Sequence, residues 1–149
     1  MGAIDVKDSI LNSVKKMLGI AEDYTHFDPE LIMYINGELM HLNQIGVGSS
    51  GIFSISGSDA TWEDYLGSDI NQLQIVKPFI AGRVKLIFDP PQSSSAVQAL
   101  NEQMKEYEWR LNVAVDPTID EKTAIMKEAN YRLAKYYDDE HVNLWKDEV

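Results

Sequence analysis

The spacing of apolar and polar positions between residues 70 and 111 predicts two helices joined by a proline turn. Apolar residues recur every three or four positions on both sides of Pro90 and Pro91, which places each set on one side of a helix. A helix cannot pass through both prolines, because proline has no N–H to donate and its ring clashes with the preceding turn. Trp109 falls off the second stripe and can face another layer of protein. We therefore expect a central helical hairpin with these core residues: Leu73, Val76, Ile80, Val84, Ile87, Val97, Leu100, Met104, Tyr107 and Leu111.

The sequence before this hairpin predicts two helices from their capping residues. Asp5 or Asp8 can cap a first helix, which should end before Gly19 because glycine favours a helix stop. Asp28 can cap a second helix, with Pro29 at its first position, where no N–H is needed. Both segments carry regularly spaced apolar residues, so each should present one face to the core.

Three further helix starts follow along the chain. Asp59 or Thr61 can cap a short helix, and Asp69 can begin the first helix of the hairpin. Pro78 should kink or split that helix, since proline removes an internal hydrogen bond. Asp120 can cap a final helix. The sequence therefore predicts an all-α fold, a small helical bundle around the central hairpin.

A glycine-rich segment near residues 48–57 interrupts the helical pattern. Glycines and apolar residues alternate there, which predicts a short β-hairpin or a loop. Gly46, Gly48 and Gly51 match a loose G-x-G-x-x-G, but a dinucleotide-binding loop must leave a parallel strand and enter a helix. This segment leaves a predicted helix instead, so we reject a nucleotide site.

A second break occurs at Asp116 and Pro117, which predict a linker. We therefore divide the chain into a helical bundle core, residues 1–115, and a C-terminal helical arm, residues 116–149. The arm mixes aromatic and charged residues, and Trp145 has little chain after it to bury it. Because aromatic side chains are enriched where proteins bind each other, we favour contacts with another protein over folding back on the core.

Composition narrows the classes of function. The chain has 149 residues, no cysteine and a net charge of −11. The lack of cysteine excludes disulfides and thiolate metal sites and fits a cytosolic origin. Such an acidic chain is unsuited to binding nucleic acid by neutralising phosphates. No apolar run approaches the roughly 20 residues needed to cross a bilayer, and the acidic first residues do not match a signal peptide.

Catalytic and metal-binding patterns are weak. Glu38 lies three residues before His41, which is half of a carboxylate–histidine metal pattern without its partner. The acidic run at residues 138–140 before His141 could collect a cation, although a solvated charge run is the simpler interpretation. We find no P-loop and no nucleophile elbow. We therefore expect no catalytic residue, no metal site, no cofactor and no enzymatic activity.

Several motifs are nonetheless distinctive in their order. They are DVKDSILNSVKKMLGI (5–20), YTHFD (24–28), QIGVG (44–48), TWEDYLG (61–67), VKLIFDPP (84–91) and EWRLNV (108–113). Together they resemble the head-tail connector (adaptor) proteins of tailed bacteriophages that infect Gram-positive bacteria. The resemblance covers about 110 residues, from Asp5 to Asp116.

The resemblance implies a structural role in the virion. Such adaptors are small helical bundles that assemble as rings, typically dodecamers, beneath the portal protein. They extend the DNA channel, so that double-stranded DNA passes through the lumen without specific binding, and they dock the stopper (head-completion) or tail proteins. The implied location is the head-tail interface of the virion, and the host cytoplasm during assembly, with no membrane partner.

The resemblance also suggests which residues make these contacts. In the family the C-terminal segment reaches toward the portal, and a loop between helices faces the tail. For the contact with the portal or a neighbouring subunit we expect Tyr131, Leu133, Tyr136, Tyr137, Leu144 and Trp145. For the tail-side loop we expect Gly48, Ser49, Ser50, Gly51, Ile52 and Phe53.

Two other classes of function remain as alternatives. The first is a soluble acidic regulatory protein, or a DNA mimic, that binds a protein partner. A mimic needs rows of carboxylates at phosphate-like spacing, whereas here the acids are interspersed with lysines and arginines. The second is a small hydrolase that uses acidic residues with His41, for which no complete motif exists. The resemblance favours the connector.

Overall fold

The computed structural model describes residues 5–48, 51–115 and 119–136, with the backbone alone at Ile70, 119–124 and Tyr136. The chain divides into two compact units, Met1–Val115 (the body) and Asp116–Val149 (the C-terminal unit). The helices are α1 (Ile10–Met17), α2 (Asp28–Gln44), α3 (Trp62–Leu66), α4 (Ile70–Phe88) and α5 (Ser94–Val115) in the body, and α6 (Ile119–Tyr136) in the C-terminal unit. The prediction of an all-α bundle is confirmed. No helix in the described part of the chain has the length and apolar character needed to span a membrane.

Helix α4 lies at the centre of the body. It packs against α1, α2, α3 and α5. The chain continues as one helix through Pro78, so the predicted split does not occur. Asp69 caps α4 as expected, since its side chain accepts the N–H of Gln72. Five side chains of α4 have no solvent exposure: Leu73, Val76, Phe79, Ile80 and Val84.

Helix α5 packs closely on α4 because α4 carries a glycine at the contact. A Cβ atom at Gly82 would lie 2.5 Å from both Sδ and Cε of Met104, so the missing side chain gives Met104 its place. Met104 and Leu111 are buried, and the other predicted core residues of α5 are partly buried: Val97, Leu100 and Tyr107.

Ile87 was predicted in the core, and that prediction is wrong. Its side chain is 52% exposed. Ile87 lies in the last turn of α4, where Phe88 packs inward instead, with its ring centroid 5.0 Å from that of Phe27. The apolar stripe therefore extends past the end of the core.

The caps of the first two helices differ from those predicted. Ser9, not Asp5 or Asp8, caps α1 by accepting a backbone N–H in the first turn. Phe27 precedes α2 without a side-chain cap, and Asp28 is the first helical residue. The N-cap position of Asp28 was therefore predicted wrongly by one residue.

Asp28 instead contacts a buried lysine. Lys15 Nζ lies 2.9 Å from Asp28 Oδ1 and also donates to the backbone oxygen of Glu22 at 2.9 Å. Lys15 has no solvent exposure, and a buried charge is strongly unfavourable unless it is paired and hydrogen-bonded. The ion pair joins α1 to the start of α2, and the hydrogen bond joins α1 to the segment between the two helices.

The N-terminal ends of α1 and α3 meet at a short extended contact. Ser9 and Thr61 form an isolated antiparallel bridge, the only β feature among the described residues. Thr61 caps α3 through a capping box with Asp64, which confirms one of the two predicted caps. The buried indole N–H of Trp62 donates to Ser13 Oγ at 3.0 Å. Trp62 thus fixes α3 against α1.

Two substitutions on α4 should separate its buried positions from its exposed ones. Val84→Asp places a carboxylate without a partner in the core, so the free energy of unfolding should fall by more than about 3 kcal/mol. Ile87→Asp adds the same charge at a half-exposed position and should cost about 1 kcal/mol. Urea unfolding followed by circular dichroism measures both. Equal losses in the two variants would contradict the central position of Val84.

Candidate functional site

The glycine-rich segment is a loop, so the β-hairpin alternative is not supported. Two asparagines on one side of α2 hold it. The Asn36 side chain donates to the backbone oxygen of Ile55 at 2.9 Å, and its Oδ1 accepts the Ile55 N–H at 2.7 Å. Asn43 donates to the backbone oxygen of Gly51 at 2.7 Å. Because Asn36 satisfies both backbone groups of Ile55, the loop needs no partner strand there.

The inner side of this loop packs against Tyr65. Gly48 has φ +96, and a Cβ atom there would lie 2.5 Å from the Tyr65 ring, so only glycine fits this conformation and contact. The Tyr65 hydroxyl donates to the backbone oxygen of Val47 at 3.3 Å, and the Phe53 ring lies 5.2 Å from that of Tyr65. Burial raises the pKa of Tyr65 above its ordinary value, because ionisation would place a charge in the core.

Not all of the loop residues that the sequence predicted to face the tail are exposed. Among the residues predicted to face the tail, Gly51 and Ile52 are exposed, and Ile52 is 73% exposed. Gly48 and Phe53 are partly buried against Tyr65. The remaining two, Ser49 and Ser50, lie outside the described residues. An exposed apolar side chain on an anchored loop is suited to docking in a pocket of another protein.

A polar cluster joins α2 to α4 and α5. Glu38 is nearly buried and accepts from Nε of Arg83 at 3.1 Å, while His41 Nε2 lies 3.0 Å from Glu108 Oε1. The His41 ring also stacks on Phe79 at 6.2 Å. The pair suggested by the sequence, Glu38 and His41, thus has separate partners. No group of three or more histidine and acidic residues in the described part of the chain could hold a metal ion. The acidic run before His141 lies outside that part.

Exposed apolar side chains in the described part of the body include a group on each of two helices. One is on α2, where Met33 and Met40 are exposed on either side of Gly37; we call these three residues the α2 face. The other is on α5, where Trp109 and Val113 are exposed; we call them the α5 face. Trp109 stood out in the sequence, whereas the two methionines did not. Their seven-residue spacing, on the side of α2 opposite its buried stripe, was the available signal.

Helix α6 carries an exposed apolar side within the C-terminal unit. It begins at Ile119, one residue before the expected cap Asp120. Ile125, Ala129 and Leu133 are spaced four apart and are all exposed, as is Tyr131. Of the other predicted interface residues, Tyr136 ends the helix, and three lie outside the described residues: Tyr137, Leu144 and Trp145.

The buried Tyr65 should give the protein a characteristic loss of stability at high pH. An unfolded tyrosine ionises near pH 10, whereas folded Tyr65 keeps its proton to higher pH. The unfolded state therefore binds fewer protons above about pH 10, and the free energy of unfolding falls as pH rises, by up to about 1.4 kcal/mol per pH unit.

Tyr65→Phe removes this proton, so its free energy of unfolding should fall less steeply between about pH 10 and 12 than that of the parent. Chemical denaturation at each pH measures the slope. Tyr24→Phe, at an exposed position, serves as the control and should keep the parental slope. A parental slope in Tyr65→Phe would contradict the pKa assignment.

The part of the chain that matches a known protein family ends near the boundary between the two units. The family model for phage connector proteins matches residues 10–118, which span α1 to α5 and end just before α6. No curated protein and no solved structure matches the chain. The family match covers most of the chain and confirms the prediction of a phage connector protein. The helical body is that of a structural component of a phage virion, and the chain belongs to the phage connector protein family.

Proposed function

We propose that this connector acts at the head-tail interface of the virion. In this proposal it forms a ring, of twelve copies as in the adaptors it resembles, beneath the portal protein. The ring extends the DNA channel and docks the stopper or tail protein. Family membership supports a role in joining virion components, and the surfaces described above supply the contacts.

The observation that carries the proposal is the exposed apolar side of α6. Ile125 and Leu133 on this side are more than half exposed, as is Tyr131 on another side of the same helix, which belongs to the C-terminal unit. Helices of this kind are stabilised mainly by packing their apolar side against something else. A partner protein that covers this side, such as the portal, would provide that packing.

The anchored loop supports a second contact at the tail side. Asn36 and Asn43 fix the loop backbone, so exposed Ile52 is presented from a constrained position. Constraining a binding loop before docking lowers the entropy that docking must offset. We assign this tip, Gly51 and Ile52, to the stopper or tail protein.

The charge of the chain fits a channel through which DNA slides. The net charge is −11, so a ring lumen lined by acidic groups would repel phosphates instead of binding them. Several exposed acids pair with bases one helical turn away, as in Glu106–Arg110 and Glu128–Arg132, both at 2.6 Å. Such paired acids do not form the uninterrupted rows that a DNA mimic requires.

A single substitution on α6 tests the contact with the portal. Leu133→Asp places a charge on the exposed apolar side and should reduce joining to tail-less, portal-containing capsids at least about tenfold. Asn130→Asp adds the same charge at a polar position of the same helix and should join as the parent does. Negative-stain imaging and the protein content of purified capsids measure both.

The outcomes separate the parts of the proposal. Full occupancy by the Leu133→Asp protein would exclude this side of α6 from the contact. A parent protein that stays monomeric and never joins the capsids would refute the connector role itself.

A further inference from the structure

The proposed function assigns no partner to the α2 face or to the α5 face. We propose that they bind each other between neighbouring copies, so that the α5 face of one chain packs on the α2 face of the next. This inference rests on the proposed ring and names the contact that would build it.

The α2 face consists of two exposed methionines with a glycine between them, and we call the position above Gly37 the notch. Met33 is 62% exposed, Met40 is exposed, and both lie on the side of the helix away from the buried Ile35. Gly37 lies between them in the middle of α2. A Cβ atom at Gly37 would meet no atom within 4 Å, so the body does not require the absence of a side chain there.

Gly37 is unfavourable for the isolated chain. In a helix interior, the helix propensity of glycine is well below that of alanine. Its φ is not positive, so backbone conformation does not require glycine either. A bare backbone between two exposed methionines does allow a second helix or a large side chain to approach closely.

The α5 face supplies a large apolar side chain. Trp109 is 64% exposed, and Val113 follows one turn later on the side of α5 away from the buried Leu111. Tryptophan buries more surface than most side chains and is frequent among residues that dominate binding energy. In the proposed contact, the Trp109 indole packs over Gly37 of the neighbouring copy.

One pair of charges beside the two faces is opposite in sign. Glu30 lies one turn before Met33 on α2, and Lys105 lies one turn before Trp109 on α5; both are exposed. If the two helices run parallel, these charges meet while Trp109 reaches the level of Met33 and Gly37. Local attraction of this kind matters for a chain with a net charge of −11, whose copies otherwise repel each other.

The contact joins two different surfaces and therefore propagates. The α2 face lies on one helix and the α5 face on another, so each copy presents two different apolar patches. Each pair of copies leaves one α2 face and one α5 face open. Head-to-tail addition of this kind closes into a ring when the rotation between copies allows it.

Chemical cross-linking tests this pairing directly, because the natural chain has no cysteine. A Gly37→Cys protein and a Val113→Cys protein are prepared separately, mixed with or without portal-containing capsids, and treated with a short bismaleimide. The expected product is a dimer that needs both proteins. A Gln92→Cys protein, exposed in the turn between α4 and α5, replaces the Val113→Cys protein as the control and should give little product.

A second variant separates assembly from folding. Gly37→Arg fills the notch without crowding the body, so its Tm should equal or exceed that of the parent. Its self-association, measured by sedimentation velocity, should weaken at least about tenfold. Gln74→Arg adds the same charge at an exposed position of α4 and should associate as the parent does.

Each result has a defined meaning. The mixed dimer together with weakened association of the Gly37→Arg protein supports the contact. Dimers of the Gly37→Cys protein alone would overturn it in favour of a symmetric contact. Rings without the mixed dimer would overturn it while leaving the proposed function intact, and a chain that never associates, alone or with capsids, would overturn both.

Discussion

The burial of α4 is the interaction on which the rest of the body depends. Five of its side chains are shielded from solvent, and removing one such side chain from water contributes about 1.5–3 kcal/mol. Four helices pack against α4, and its contacts with α2 and α5 position further parts of the body. Arg83 and Phe79 orient α2 through Glu38 and His41, and α2 in turn holds the loop. Gly82 seats Met104 and so sets the position of α5.

Much of the fold could be predicted because its information is local. Apolar spacing predicted the hairpin of α4 and α5, and capping residues predicted the starts of α3 and α4. The predictions fail where a residue distant in the sequence determines the local structure. Asp28 resembles a cap, but it pairs with Lys15, which is thirteen positions earlier in the chain. The alternation before Ile55 resembles a strand, but Asn36, nineteen residues away, takes both of its backbone bonds.

The candidate contact surfaces were harder to predict for a related reason. Periodicity identifies the side of a helix that is buried, and it treats the opposite side as solvent-facing by default. Met33 and Met40 were missed on that opposite side, whereas Trp109 was noticed because it falls off the apolar stripe of the second hairpin helix. Ile87 shows the converse error, since it continues a buried stripe beyond the end of the packed core. The exposure of a side chain depends on where neighbouring helices end, and the spacing of residues along one helix carries no information about that.

The acidic charge of this chain and its exposed apolar side chains have opposite effects on association. A net charge of −11 keeps copies apart at long range, and in the proposed ring it would also keep DNA from adhering to the lumen. The same repulsion opposes assembly, so association must come from contacts that act at short range. Apolar side chains act only on contact, and they are found exposed at the loop tip, on α6 and on the two faces of the body. Their separation over distinct surfaces would allow one small acidic protein to bind several partners at once without a basic patch that would also capture nucleic acid.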